Sequence, residues 1–444
     1  MGNPRKTALS ILMKIDNDNA YSNITLNNAI KASDLDERDV SFACAIVYGV
    51  LERKITLDYI ISKFIKTKLN KIQPDVLNIL RMGVFQIAYM DKVPDSAAVN
   101  ECVKLAKKRN LFSATGFING VLRSVSRAEG NYQLPDKKAD KLSYYSVYYS
   151  CPQDIISLWL NSYGEEITEN ILQNLSGRPP VYVRVNTLKV TAENLEKDFE
   201  TCGVSASPTD IIEDALVIKD TGSIESLALY SFGYFHVQDL SSQLCCKVLN
   251  PVSGDKVYDF CSAPGGKAFT IAQRMDNNGV INAFDLYDHK LKLIEAGAER
   301  LGIDIIKVGL RDAVCTEPLE KADKVLCDVP CSGLGIIRRK PEIRYKKDTG
   351  IDTLPQLQYD ILSSCSDFVK VGGTLVYSTC TLNKKENNNN ADKFLQEHPN
   401  FAPVPIDLGD MVKRVIDEPA NQLTLFPNPQ GSDGFFISVF KKIK

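Results

Sequence analysis

The sequence predicts an α/β protein. A mostly parallel, doubly wound sheet fills the carboxyl-terminal half, preceded by a small mixed α/β segment and an all-helical amino-terminal third. Three observations predict it. Apolar stripes of helical period run through the first third, a stretch in the middle alternates like a strand, and from residue 236 short apolar runs alternate with helical segments. The 444-residue length fits about three domains of roughly 150 residues each. With 44% hydrophobic and 24% charged residues, a disordered chain, a collagen-like fibre and a disulfide miniprotein are excluded.

Residues 1–128 read as a bundle of about six helices. Leu57, Ile60, Ile61 and Phe64 form one apolar stripe; Leu77, Leu80, Val84, Ile87 and Ala88 form another. Asp34 followed by Glu37 has the look of a helix cap, and Pro74 and Pro94 mark helix starts or breaks. Residues 129–143 are polar and turn-rich, a linker. Residues 144–235 form a small α/β subdomain, with a helix over Cys151–Ser162, a strand over Val181–Val185 and a helix over Ala192–Thr201. Residues 236–444 carry the parallel sheet, with strands ending at Phe260, Asp285, Val308, Cys327 and Tyr377 and a closing hairpin over Leu423–Phe426 and Phe435–Phe440.

Charge and cysteine usage narrow the class. The net charge is −2, but residues 1–130 hold 19 Lys/Arg against 13 Asp/Glu, a basic end on an acidic remainder. That asymmetry suggests an anionic partner at the amino-terminal part, although solvated helix faces would give the same count. No signal-peptide core and no apolar stretch long enough to span a bilayer is visible, so a cytoplasmic protein without a membrane partner is expected. The 12 cysteines form no Cys-x-x-Cys pair and the histidines number 3, so no metal is expected. Most of the thiols read as small buried groups.

The chemistry-bearing residues cluster at strand ends. Cys261-Ser262-Ala263-Pro264-Gly265-Gly266-Lys267 follows the first strand of the sheet and opens a helix; its small residues let a backbone press against a ligand. It is not a dinucleotide fingerprint. Asp285, at the end of the next strand, is placed to accept hydrogen bonds from a ribose diol, so a nucleoside cofactor without phosphates fits, with S-adenosylmethionine first. Asp328-Val-Pro-Cys331 and Ser378-Thr-Cys380 end two further strands. Pyrimidine C5 is a poor nucleophile until a thiolate adds at C6, which gives a reason for thiols on this edge. Asp328 is placed to hydrogen-bond the N3/N4 edge of the ring. The residues alone leave either Cys331 or Cys380 as the nucleophile.

These motifs, with Arg184-Val-Asn-Thr-Leu188 and Val237-Gln-Asp-Leu-Ser-Ser-Gln243, resemble the RNA (cytosine-5)-methyltransferases. Arg5-Lys-Thr-Ala-Leu9, Glu37-Arg-Asp39 and Phe117-Ile-Asn-Gly-Val-Leu-Arg123 resemble a NusB-like RNA-binding domain. Together they look like the RsmB (Sun/Fmu) subfamily, whose substrate is 16S rRNA. The resemblance implies a Rossmann-like class I S-adenosylmethionine methyltransferase sheet. It implies Cys380 as the nucleophile, Cys331 as the residue assisting product release, and Asp285, Asp312 and Asp328 beside the 261–267 turn around cofactor and base. Arg184, Asn186, Arg338, Arg339, Lys340 and Arg344 are candidate RNA contacts, with a solvated charged loop as the bland reading of the last four. A monomer acting on 16S rRNA is expected; tRNA as the substrate, or a non-catalytic RNA-binding factor, are the alternatives.

Overall fold

The computed structural model describes residues 2–18, 21–219, 221–346, 350–408, 418–428 and 431–444. The chain divides into two compact units, residues 1–177 with 337–349, and residues 178–336 with 350–444.

The first unit is helical: α1 (Pro4–Asp18), α2 (Ser22–Lys31), α3 (Glu37–Glu52), α4 (Lys54–Lys63), α5 (Pro74–Tyr89), α6 (Asp95–Lys108), α7 (Thr115–Arg127), α8 (Lys141–Tyr149) and α9 (Gln153–Gln173). Among the described residues of the first 128, seven α-helices are found where about six are expected. The cap of α3 is Asp36, whose carboxylate accepts the Asp39 amide at 2.8 Å; Asp34 is not the cap. Pro74 sits in the first turn of α5 and Pro94 immediately before α6, where a missing N–H costs nothing. Leu57, Ile60 and Ile61 are buried, as their period requires, and α5 is buried nearly all round. It packs so closely on α3 that a Cβ at Gly49 would lie 1.9 Å from the Phe85 ring.

Helices α8 and α9 belong to the helical unit, and so does the segment 337–349. The reason is visible at Arg344, a buried guanidinium that donates to the carbonyls of Ser150 at 3.0 Å and Leu175 at 2.9 Å. Glu342 likewise accepts the Ser22 amide at 3.0 Å.

The second unit holds two sheets. The small one comprises β1 (Val181–Val185), β2 (Ser205–Pro208), β3 (Ala215–Lys219) and β4 (Phe235–Val237), all antiparallel in the order β2-β3-β1-β4. Helix α10 (Ala192–Thr201), capped by Thr191, precedes β2; the short α11 (Ala228–Ser231) precedes β4. The large sheet contains β5 (Lys256–Asp259), β6 (Val280–Asp285), β7 (Ile306–Leu310), β8 (Ala322–Asp328), β9 (Val369–Thr379), β10 (Phe401–Pro403), β11 (Gln422–Leu425) and β12 (Phe435–Lys442). Strands β5 to β9 are parallel in the order β9-β8-β5-β6-β7. Strand β12 runs antiparallel beside β9 and also pairs with β10 and β11. Helices α12 (Leu240–Leu249), α13 (Gly266–Arg274), α14 (Asp288–Leu301), α15 (Leu354–Ser366) and α16 (Asn388–Glu397) complete the unit.

Two apolar clusters explain the layering. One joins α12, α13 and α14 to β5, β6 and β12; the other joins α15 and α16 to β8 and β9. A sheet covered on both faces must be apolar on both, which is why its strands read as apolar runs rather than alternating ones. The chain passes outward from β5 through β6 to β7, then returns to place β8 on the other side of β5. That reversal opens the crevice at the carboxyl ends of β5 and β8 where such sheets bind ligands. Among the described residues no helix is long and apolar enough to cross a membrane.

Candidate active site

Three carboxylates mark the carboxyl edge of three adjacent strands: Asp259 ends β5, Asp285 ends β6 and Asp328 ends β8. Between them lies the small-residue turn. Gly265 has φ +101°, a left-handed conformation, and a Cβ there would lie 2.5 Å from the Phe269 ring. Glycine is therefore required on two counts. The turn ends at the amino terminus of α13, whose first backbone N–H groups lack intrahelical partners.

The carboxylate of Asp285 accepts the Tyr287 amide at 3.1 Å and the Ala263 amide at 3.3 Å. It thereby ties β6 to the turn, with Lys290 at 3.4 Å. Asp259 is buried, and neither of its oxygens makes a hydrogen bond. Burial pushes its carboxyl up to about 7; the nearby Ser262 hydroxyl, outside good hydrogen-bond geometry, and the Lys267 charge pull the other way. Asp312, after β7, is exposed, and its carboxylate accepts the Val314 amide at 3.1 Å.

Lys267 reaches across the crevice to Asp328, Nζ to Oδ2 at 2.6 Å, and also meets Ser242 Oγ at 3.3 Å. Burial by itself lowers the lysine pKa, but Asp328 more than reverses that, and the result lies above the ordinary value. The other carboxylate oxygen of Asp328 accepts from Ser378 Oγ at 2.8 Å.

Cys331, in the loop after β8, and Cys380, directly after β9, meet with their sulfurs 3.1 Å apart. Both are free thiols and both are partly exposed. The contact with Cys380, and then burial, push the Cys331 thiol pKa well above its ordinary value. The Cys380 carbonyl accepts the Gly335 amide at 3.0 Å, and the Gly335 carbonyl accepts the Gly434 amide at 2.9 Å. The three segments are packed so closely that a Cβ on Gly335 would lie 2.0 Å from the Gly434 oxygen.

The structure thus brings together Cys331 with Cys380, and Lys267 with Asp328. Of the expected RNA contacts, four are buried and Arg339 and Lys340 are partly exposed. Arg184 is buried and donates to Asp214 at 3.0 Å and Gln273 at 3.2 Å. Asn186 is buried and donates to the carbonyls of Gly233 and Leu301, both at 2.8 Å. Both side chains fasten the small sheet to the large domain instead of facing solvent. Arg338 and Arg344 are buried too, Arg339 is half-buried, and Lys340 lies over the Tyr21 ring at 4.8 Å. All four belong to the helical unit, not to the unit that holds Cys331. Two residues escaped the sequence reading. Ser378 was legible as a polar residue two before Cys380. Glu386, fully buried six residues after Cys380, could have been found from the oddity of a Glu inside Asn383-Lys-Lys-Glu-Asn387.

The donor set fits S-adenosylmethionine. The Asp285 carboxylate suits a ribose diol, the buried Ser262 hydroxyl is without a partner, and the opening of α13 offers N–H groups. Among the described residues no group of three or more His, Cys, Asp or Glu side chains is arranged for a metal ion. A class I fold with this turn and these strand-end acids defines an S-adenosylmethionine-dependent methyltransferase.

Comparison with known proteins specifies the family. Residues 246–441 match the model described as 16S rRNA methyltransferase RsmB/F, residues 2–127 the NusB family, and residues 151–225 the RsmF/B-like ferredoxin-like domain. The chain is 37% identical over 99% of its length to a probable ribosomal RNA small subunit methyltransferase B of Bacillus subtilis, covering 98% of that protein. It is 33% identical to the probable ribosomal RNA small subunit methyltransferase B of Synechocystis, over 99% of both chains. A solved structure described as PH0851 superposes with a TM-score of 0.83, at 26% identity over 99% of both chains. The chain belongs to the RsmB family of ribosomal RNA small subunit methyltransferases.

Proposed function

We propose that this chain transfers a methyl group from S-adenosylmethionine to C5 of a specific cytosine in 16S rRNA, through a covalent bond between Cys380 and C6 of the base. The observation that carries the reading is the pair of thiols 3.1 Å apart on the ligand edge of the sheet. A single thiol there would read as a buried small residue; a contacting pair suits a reaction that must both form and break a carbon–sulfur bond.

Cys331 and Cys380 share a hydrogen bond in which either thiol can donate, and Cys380 is taken as the nucleophile from the family resemblance of its motif. Addition of the Cys380 sulfur to C6 makes C5 electron-rich. When bound, S-adenosylmethionine supplies the electrophilic methyl group. A base then takes the C5 proton, the C5–H electron pair re-forms the C5–C6 double bond, and the C6–S bond breaks to release Cys380 as thiolate, with Cys331 beside it assisting that release. In this reading Asp328, held by Lys267 and Ser378, hydrogen-bonds the N3/N4 edge of the base. Asp285, Asp312 and the 261–267 turn hold the cofactor. The helical residues 1–128 and the small sheet are read as RNA-binding parts, with a linker over 129–143. The names of the relatives support ribosomal RNA of the small subunit over tRNA.

Bisulfite sequencing of 16S rRNA and tRNA from cells lacking the protein tests this. The expected result is loss of one protected cytosine in 16S rRNA. Loss confined to tRNA would overturn the substrate, and no loss in either would favour a non-catalytic RNA-binding factor.

A further inference from the structure

We infer that Glu386 is a positioning residue for the two thiols: its buried carboxylate ties the Cys331 loop to the Cys380 loop and so sets the separation of the sulfurs. The carboxylate takes four hydrogen bonds. Oε2 accepts the Ser332 backbone amide at 2.9 Å and Gln358 Nε2 at 2.8 Å. Oε1 accepts Ser332 Oγ at 2.5 Å and Asn383 Nδ2 at 2.9 Å. Ser332 follows Cys331 directly, and Asn383 lies three residues past Cys380. Ser332 Oγ also meets Thr381 Oγ1 at 2.7 Å, one residue beyond Cys380. Gln358 donates in addition to the Pro330 carbonyl at 2.9 Å, so the Cys331 loop is held from both sides of the cysteine.

The chemistry explains why the residue is a glutamate. An ionised carboxylate is an acceptor at every lone pair, so it satisfies four converging donors. An amide of the same shape cannot. With its NH₂ at the Oε2 position it would face a backbone amide that has no other orientation. At the Oε1 position it would face Asn383, whose own oxygen already accepts the Lys385 amide at 3.1 Å. Glu386 is itself anchored, because Tyr377 donates its hydroxyl to the Glu386 carbonyl at 2.5 Å. Its neighbour Asn387 bonds Thr379 at 2.6 Å and the Thr381 carbonyl at 2.9 Å, either side of Cys380. All four donors to the carboxylate are uncharged, and its charge adds to the Cys380 hydrogen bond and burial in keeping the Cys331 proton in place.

The inference rests on the reading of Cys380 as nucleophile and Cys331 as the residue of release. Its test uses the full chain as wild type, Glu386→Gln, Ser332→Ala, Cys331→Ala and Cys380→Ala. Two readouts are taken. The first is turnover on a 16S rRNA transcript, with the gel-stable protein–RNA adduct. Glu386→Gln and Ser332→Ala are expected to lower kcat by ~10-fold or more, the worth of one hydrogen bond to a charged group, with KM little changed and adduct accumulating. The second needs no RNA: the rate at which diamide, a thiol oxidant, closes a Cys331–Cys380 disulfide, followed by mass spectrometry. Both variants are expected to close it several-fold more slowly than wild type. A merely structural role would instead lower thermal stability and leave folded molecules with wild-type closure rate and no excess adduct, which overturns the proposal. Should Glu386→Gln not fold, Ser332→Ala carries the same test. Should Cys331→Ala trap no adduct, the catalytic reading fails, while the closure rate still judges Glu386.

Discussion

Replacing Asp328 by Ala leaves the Lys267 ammonium without its partner. The pair is close, at 2.6 Å, and mostly enclosed, with side-chain exposures of 13% for Lys267 and 24% for Asp328. Removing one member of a buried ion pair costs about 3–5 kcal/mol, because the other charge stays desolvated. The partial exposure of Asp328 and the residual Ser242 contact place this case at the low end, about 3 kcal/mol. At roughly 2–4 °C per kcal/mol for a unit of this size, the melting temperature of the second unit should fall by about 6–12 °C. A second signature separates this cause from loss of packing. Once Asp328 is gone, burial is the leading influence on Lys267 and depresses its pKa in the folded state below the unfolded value. The unfolded chain then binds more protons than the native one over that interval, so the variant regains stability as pH rises from neutrality toward 10. Wild type shows no such gain from this residue, because there the folded pKa is raised. The assay is thermal unfolding at several pH values for Asp328→Ala, Lys267→Met and the double variant. The double variant should be more stable than Asp328→Ala alone. Equal losses in single and double variants, with no pH-dependent recovery, would refute the reasoning.

Three other outcomes follow from the site. Asp259 has its folded pKa raised to about 7 by burial, so between about 4 and 7 the native state binds the extra proton and stability falls as pH rises. Asp259→Asn should flatten that fall in a pH series of urea melts, and an unchanged slope would remove Asp259 as its source. Gly335→Ala forces a Cβ to within 2.0 Å of the Gly434 oxygen and 2.8 Å of the Cys380 oxygen. It should destabilise by at least ~1–3 kcal/mol and suppress adduct formation, whereas wild-type turnover would show that the close packing is not needed. Asp285→Ala should weaken S-adenosylmethionine binding by about tenfold or more, since hydrogen bonds to a charged group are lost, and calorimetry showing unchanged affinity would take Asp285 out of the cofactor site.

The large sheet was legible because its strands are buried on both faces, which writes each one as a short apolar run ending at a polar residue. Asp285 and Asp328 closed two such runs and marked the ligand edge without any contact information. Sequence spacing cannot say which distant segments meet. The packing of α8, α9 and residues 337–349 into the helical unit has no local signal, because it depends on Arg344, almost 200 residues beyond Ser150, donating to the Ser150 and Leu175 carbonyls. Arg184 and Asn186, at the end of β1, are buried by partners that their local sequence does not reveal. Their partners, Gln273 and Leu301, come from helices far along the sequence. Cys331 and Cys380 could be placed at neighbouring strand ends from the pattern alone, but not their contact. Glu386 was missed because a carboxylate that serves four uncharged donors has no local signature in an Asn- and Lys-rich stretch.

The central claim is that Cys380 attacks the base and Cys331 releases it. Cys331→Ala and Cys380→Ala proteins incubated with S-adenosylmethionine and a 16S rRNA transcript, then run on a denaturing gel, test it directly. Nuclease and protease digestion of any retarded species, followed by mass spectrometry, identifies the cysteine that carries the nucleotide. The account predicts a stable, methylated adduct from Cys331→Ala with the nucleotide on Cys380, and neither adduct nor methylation from Cys380→Ala. An adduct from Cys380→Ala carried on Cys331, with none from Cys331→Ala, would contradict it.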